Sequence, residues 1–268
     1  MLLHPQPDPV AIALGPLKVH WYGLMYLAAF MLFLFMGRYR LRLPHVALQG
    51  WKKEDLDDLL FYGVLGVVLG GRLGEVLFYQ PLYYLQHPLE IPQVWRGGMS
   101  YHGGFLGVLA AMWLWAKRRG KHLGDVYDFI APLVPLGYAC GRLGNFINAE
   151  LPGRAADPTL AWAMQWPGIA YPVHPSPLYQ ALVDGVLLFI IVWLFAAKAR
   201  PRLAVGALYV MLYGCARFFT EFFRVPDYEV PLGFATISSG QMLSLPMIVA
   251  GGVLLWLSYR GFFADKKN

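Results

Sequence analysis

The chain has 268 residues, 57% of them hydrophobic and only 14% charged, with a net charge of +6. Soluble domains carry about 25% charged residues, so this balance excludes an ordinary water-soluble globule and points to a membrane protein. The cations are interleaved with apolar runs, so the positive charge calls for no nucleic-acid partner.

Residues 1–19 carry four prolines and little positive charge, and the first apolar run, roughly 20–37, is followed by Arg38, Arg40 and Arg42. That order predicts a retained helix rather than a cleaved signal peptide. His20, Trp21, Tyr22 and Gly23 open this run; taken singly, His20 and Tyr22 read as interfacial belt or packing groups. Asp55, Asp57 and Asp58, beside Lys52 and Lys53, read as a solvated helix start rather than the acidic motif of a prenyl transferase. The second run, 59–79, holds Gly63, Gly66, Gly70, Gly71 and Gly74, the small-residue spacing of closely packed membrane helices. No Lys-Ser or Lys-Thr follows, so no phosphate-binding P-loop is present. Arg72 has Glu75 three residues on, a helical pairing distance, as Arg217 has Glu221 four residues on.

Residues 80–100 are rich in Pro and Tyr and are expected to form an arm lying at the membrane interface. The third run, 101–116, opens on Ser100, Tyr101, His102, Gly103 and Gly104, where the glycines let a ligand approach His102 closely. The fourth, 127–144, contains Pro132 and Pro135 and is expected to kink or tilt. It ends in Gly141-Arg142-Leu143-Gly144-Asn145-Phe146-Ile147-Asn148-Ala149-Glu150-Leu151-Pro152-Gly153, which puts an arginine, two asparagines and a glutamate at the end of a long apolar stretch. An arginine near the bilayer core is costly, by about 2.5 kcal/mol or more, so such a cluster marks a functional site, here one for an anion where lipid meets water. The stretch 145–177 is expected to form a small cap. Runs five to seven cover roughly 178–197, 203–223 and 241–259, the sixth ending with Tyr213, Arg217, Glu221 and Arg224.

Most of these runs approach the ~20 residues that span a bilayer as a helix. Fifteen of the 22 cations follow the first, third, fifth and seventh runs, the last group being Arg260, Lys266 and Lys267. Lys and Arg mark cytoplasmic loops, so the N-terminus is expected outside and the C-terminus inside. The expected fold is all-α: a polytopic membrane protein with about seven transmembrane helices, a single integral membrane domain over 1–268, with the 145–177 cap on the outer side. The remaining cations are Lys18 and six arginines: Arg72, Arg96, Arg142, Arg154, Arg217 and Arg224. All are outward or within runs, against the charge rule, and an anionic ligand is the simplest reason.

Cys140 and Cys215 both fall in apolar runs and read as small buried packing groups. None of the seven histidines has a partner at metal-ligand spacing, so no metal is expected. Gly-Arg-Leu-Gly occurs at 71–74 and again at 141–144, a candidate internal repeat.

Residues 141–153 fit the signature of the prolipoprotein diacylglyceryl transferase family: Gly-Arg, then Gly or Ala, Asn-Phe, Asn, Glu and Gly. The resemblance extends to His20–Tyr26, Gly70–Gly74, Gly97–Gly104, Arg217–Arg224 with Pro226-Asp227, and Gln241–Pro246, nearly the whole chain in order. It implies a bacterial inner-membrane transferase without metal or organic cofactor. Such an enzyme moves the diacylglyceryl group of phosphatidylglycerol to the lipobox cysteine thiol of a preprolipoprotein, releasing glycerol 1-phosphate. On this reading Arg142 and Arg217 clamp the phosphate and His102 is the candidate base. Tyr22, Arg72, Asn145, Asn148, Glu150, Gly153, Tyr213, Glu221 and Arg224 bind substrate or support the arginines. One departure stands out. The family often reads His-Pro-Ser-Gln-Leu-Tyr-Glu before the fifth run, whereas this chain has Pro177 and Gln180, leaving Asp184 as an acid one turn on. The alternative from another class is a lipid transporter or flippase with an outward-facing anion site. That reading requires polar residues through both halves of the membrane, whereas here the arginines gather on one side.

Overall fold

A computed structural model describes residues 1–226, 228–231 and 236–264. Asp227, Lys266 and Lys267 lie outside the described residues.

The chain is mostly helical, as expected, and among the described residues three small sheets are added to the helices. Strand β1 (Leu2–Leu3) precedes a hairpin of β2 (Val10–Leu14) and β3 (Leu17–His20), which leads directly into α1 (Trp21–Arg40). After the short α2 (Pro44–Ala47) comes α3 (Lys53–Gly74), extended by a π-helical turn, Glu75–Tyr79. Next, α4 (Pro81–Gln86) and two single 3-10 turns, Pro88–Glu90 and Val94–Arg96, make up the 80–100 arm. Helix α5 is Tyr101–Arg119. The fourth apolar run breaks where its prolines fall: α6 (Leu123–Ile130), a 3-10 turn Ala131–Leu133, then α7 (Val134–Ile147). Strands β4 (Met164–Gln165) and β5 (Pro172–Val173) come next. The fifth run comprises α8 (Ser176–Gln180), a π-helical stretch Ala181–Leu187, and α9 (Leu188–Ala196). Helix α10 (Ala204–Thr220), the β6 (Glu229–Pro231) and β7 (Thr236–Ser238) hairpin, and α11 (Ser239–Tyr259) complete the order.

Among the described residues, four helical stretches are long and apolar enough to cross a membrane: Trp21–Arg40, Lys53–Tyr79, Ser176–Ala196 and Ser239–Tyr259. Ala204–Thr220 is apolar but shorter. Their outward faces carry Phe35, Phe61, Leu194 and Val249, all exposed. Apolar side chains turned outward along whole helices require a hydrocarbon solvent, and the protein is a membrane protein on that ground.

The chain forms two compact units. In the unit Arg38–Val126, α3 packs along α5 at backbone distance. A Cβ on Gly70 would fall on the Gly103 carbonyl oxygen, so both positions admit only glycine. The start of α3 is capped through Asp55, which accepts from the Lys52 amide at 2.9 Å. Asp55 is buried rather than solvated, and Asp58 pairs with Arg119 of α5. These acids therefore fix the helix pair.

The other unit joins Met1–Gly37 to the chain from Tyr127 onward. Residues 145–177 do not pack alone. Strand β1 pairs in parallel with β4, and β4 antiparallel with β5, so N-terminal residues complete the sheet of that segment. Met164, Trp166 and Val173 form its small core, with Phe146 packed against it. Cys140 is buried as expected, whereas Cys215 is exposed on α10, because its helix position faces outward.

Candidate functional site

The polar segment at the end of α7 closes into one network. The Arg142 guanidinium lies over the Tyr138 ring, one turn earlier, at 4.7 Å. Its Nη1 donates to Asn145 Oδ1 at 3.2 Å. Asn145 is buried and donates Nδ2 to Glu150 Oε2 at 2.7 Å, and Asn148 Nδ2 donates to Glu150 Oε1 at 3.2 Å. Because a carboxylate only accepts, both amides must turn their NH2 groups to Glu150, which aims Asn145 Oδ1 at the arginine. The backbone holds Glu150 in place. Its N–H donates to the Asn145 carbonyl at 2.8 Å, between Ala149 and Leu151 at φ 55 and 54. Those left-handed conformations are rare for residues with a Cβ. They are held by Trp166 Nε1 donating to the Ala149 carbonyl and Ser176 Oγ to the Leu151 carbonyl, both at 2.9 Å. Tyr22 packs its ring edge on the backbone of Gly144.

A second cluster closes α10. Arg217 Nη2 lies 2.7 Å from Glu221 Oε2, and Arg224 Nη1 lies 3.8 Å from Oε1. Glu221 is wholly buried, and Gly240 at the start of α11 leaves the space its carboxylate fills. Arg217 Nη1 is buried with no hydrogen-bond partner among the described residues. A buried guanidinium donor without an acceptor is costly, and an anionic oxygen is its natural complement. Tyr213 sets its ring edge-on to Tyr138 at 5.8 Å.

Gly153 has a packing role. A Cβ there would collide with the carbonyl oxygens of His174 and Phe223, and Gly153 bridges to Arg224. It thereby ties the segment after α7 to the end of α10. His174, beside it, meets the Tyr179 hydroxyl at 3.1 Å, and burial holds its imidazole below the usual pKa.

Arg72, Arg96 and Arg154 have protein partners of their own. Arg72 is buried and donates to the carbonyls of Ile91 (2.7 Å), Gly97 (2.7 Å), Gly98 (3.1 Å) and Glu90 (2.6 Å), with its guanidinium 4.9 Å from the Tyr84 ring centre. It holds the arm to α3, where the sequence assigned it to substrate or to Glu75. Arg96 pairs with Glu90 at 3.1 Å; the Tyr83 hydroxyl first, and Arg96 beside it, hold that carboxyl below its usual range. Arg154 donates to the Arg224 carbonyl at 3.0 Å and faces Glu229 at 3.7 Å. His102 is exposed in the first turn of α5, whose N-cap is Ser100, and rests edge-on against Tyr101.

Sequence reasoning noted Asp184 only as an acid one turn after Gln180 and did not foresee that it links the two clusters. Asp184, fully buried, accepts from Tyr138 OH at 3.3 Å and from Thr220 Oγ1 at 3.1 Å. The available signal was that Asp184 is the lone acid within its apolar run.

The family model for prolipoprotein diacylglyceryl transferase matches residues 9–257. A protein of Janthinobacterium sp. (strain Marseille) named phosphatidylglycerol–prolipoprotein diacylglyceryl transferase is 67% identical over 261 residues, covering 97% of this chain and 98% of its own. Proteins of the same name from Cupriavidus metallidurans and Burkholderia mallei are 60% and 52% identical, each over 97% of this chain and 96% and 97% of their own.

Proposed function

The chain belongs to the prolipoprotein diacylglyceryl transferase family, and from that premise we propose how its residues carry out the transfer. It is a transferase that moves the diacylglyceryl group of phosphatidylglycerol to prolipoprotein. The family leaves the transporter or flippase reading without support.

The acceptor atom is the lipobox cysteine sulfur. Its thiolate attacks the glyceryl carbon that bears the phosphate, a sulfur–carbon bond forms, the carbon–oxygen bond breaks, and glycerol 1-phosphate leaves with the electron pair. Negative charge grows on the phosphate as that bond breaks. Arg142 and Arg217 bind the phosphate oxygens and stabilise that growing charge, as fixed cations do in a poorly hydrated site. A planar guanidinium that stays charged suits this better than an ammonium. The observation that carries the assignment is the buried Arg217 Nη1 without a protein acceptor among the described residues. Asn145, Asn148 and Glu150 orient Arg142; Glu221 orients Arg217 and Arg224; Tyr22 and Tyr213 shape the headgroup site.

His102 takes the thiol proton. A free thiol has a pKa near 8.5, so it needs a base or a positive field at neutral pH, and histidine titrates closest to neutrality. The exposed imidazole makes no hydrogen bond among the described residues and is open to an incoming thiol. His102→Gln should lower turnover by roughly 10²–10⁴-fold, with the loss shrinking as pH rises and the thiol ionises unaided.

The enzyme lies in the bacterial inner membrane with about seven spans, its N-terminus and the 145–177 cap periplasmic, its C-terminus cytoplasmic, and the 80–100 arm at the interface. The support is the placement of the cation clusters after alternate apolar runs. A reporter fused after Asn268 should behave as cytoplasmic, and its export would reverse the orientation. The deciding assay combines purified protein, phosphatidylglycerol and a lipobox peptide, and measures glycerol 1-phosphate over time. No release above the peptide-free control would refute the reaction.

A further inference from the structure

The fully buried carboxylate of Asp184 reaches both arginine-bearing helices through neutral hydroxyls. Toward α7, Tyr138 OH donates to Oδ2 at 3.3 Å, and the same tyrosine's ring carries the Arg142 guanidinium 4.7 Å above it. Toward α10, Thr220 Oγ1 lies 3.3 Å from Oδ1 and 3.1 Å from Oδ2, and 3.3 Å from the Arg217 carbonyl one turn back. The local backbone is built for the contact. Asp184 sits in the π-helical stretch Ala181–Leu187, an irregularity that re-aims side chains and recurs at functional sites. Gly185 brings the stretch against Ala139 of α7, since a Cβ at 185 would lie 2.6 Å from the Ala139 Cβ. The side chain one turn earlier, Gln180, is equally buried but neutral, and its amide has no partner among the described residues. Asp184 is thus the one anion this helical run offers to the arginines.

We propose that Asp184 is a positioning residue for the transfer reaction, a buried clamp that sets Arg142 through Tyr138 and Arg217 through Thr220, so that both guanidiniums meet one phosphate. Asp184 touches no reacting atom. Its removal lets the arginines settle apart, which weakens stabilisation of the charge that develops as the carbon–oxygen bond breaks more than it weakens ground-state lipid binding. The inference rests on Arg142 and Arg217 being the phosphate ligands.

The test measures kcat and KM for phosphatidylglycerol with purified, monodisperse protein: wild type, Asp184→Asn, the Tyr138→Phe/Thr220→Val pair, all three changes together, and Arg142→Ala. Asp184→Asn should lower kcat roughly 10–100-fold while KM moves by less than about threefold. The hydroxyl pair should show the same loss, and the triple variant should be no worse than Asp184→Asn, since all act through one linkage. A purely structural role would instead lower thermal stability and multiply the losses. Wild-type kcat in Asp184→Asn, multiplying losses, or failure of both Asp184→Asn and the hydroxyl pair to fold would overturn the proposal. Wild-type turnover in Arg142→Ala would instead refute the phosphate-ligand reading on which it rests.

Discussion

Gly71-Arg72-Leu73-Gly74 on α3 and Gly141-Arg142-Leu143-Gly144 on α7 share four residues and little else. Arg72 gives its donors to four backbone carbonyls of the arm. Arg142 spends one donor on Asn145, rests on Tyr138, and is supported through Asn145 by Glu150. The residues after each copy decide the difference. Beyond Gly74 the chain enters short turns whose carbonyls lack helical partners, and a buried guanidinium is a ready donor for them. Beyond Gly144 come Asn145, Asn148 and Glu150, side chains that hold the arginine in a network of their own. An intramembrane arginine is therefore a functional signal only after the nearby carbonyls have been counted.

The sharpest way to break this contrast is to remove each arginine in turn. Arg142→Ala and Arg217→Ala should each lose two to three orders of magnitude in turnover, about 3–4 kcal/mol of transition-state stabilisation. Melting in detergent should stay near wild type for Arg142→Ala and fall for Arg217→Ala, which strips the buried Glu221 carboxylate of its nearer cation; lysine should restore activity only in part. Folded variants releasing glycerol 1-phosphate at the normal rate would remove both from the mechanism.

Arg72→Ala should do the reverse. Four carbonyls lose their donor, at ~1–3 kcal/mol for each that water does not reach. A melting temperature lower by about 5 °C or more is expected, with kcat per folded molecule within about threefold of wild type. An unchanged melting temperature with lost turnover would return Arg72 to the substrate site.

The smallest effect concerns the cap. Burial depresses the His174 pKa in the folded state, so the unfolded chain binds its proton more readily. This contribution to stability is complete above the ordinary histidine pKa of about 6.5 and is lost as pH falls through the lower folded value. Thermal stability should decline as pH falls below about 6.5, and His174→Gln should flatten that decline. Equal slopes in the two proteins would show that His174 contributes nothing to it.

The helical runs were legible because apolar length is a direct physical signal; each of the seven stretches coincides with a helix or a broken helix within a few residues. The break at 131–133 was legible through Pro132, and the Arg217–Glu221 pair through its spacing. Partnerships set by long-range packing were not. Nothing in Leu2 and Leu3 announces a strand beside Met164 and Gln165. The glycine at 153 reads as part of a binding motif until the His174 and Phe223 carbonyls are seen against it. Asp184 was visible as an acid in an apolar run, but its partners Tyr138 and Thr220 lie 46 and 36 residues away. Exposure also escaped the sequence: Cys140 and Cys215 look alike in composition, and only helix orientation separates them.

The strand pairings carry a parity rule for the membrane path. Two segments joined by backbone hydrogen bonds must lie on the same side of the bilayer, so the chain between them crosses an even number of times. The β1–β4 pairing applies this between residues 3 and 164, and the Gly153–Arg224 bridge applies it between 153 and 224. Between the latter two lie only Ser176–Ala196, long enough to cross, and the 17-residue Ala204–Thr220, which by length alone is marginal. If the first crosses, the second must return. Arg217, near the end of that returning helix, is then carried back to the side on which Gly153 lies.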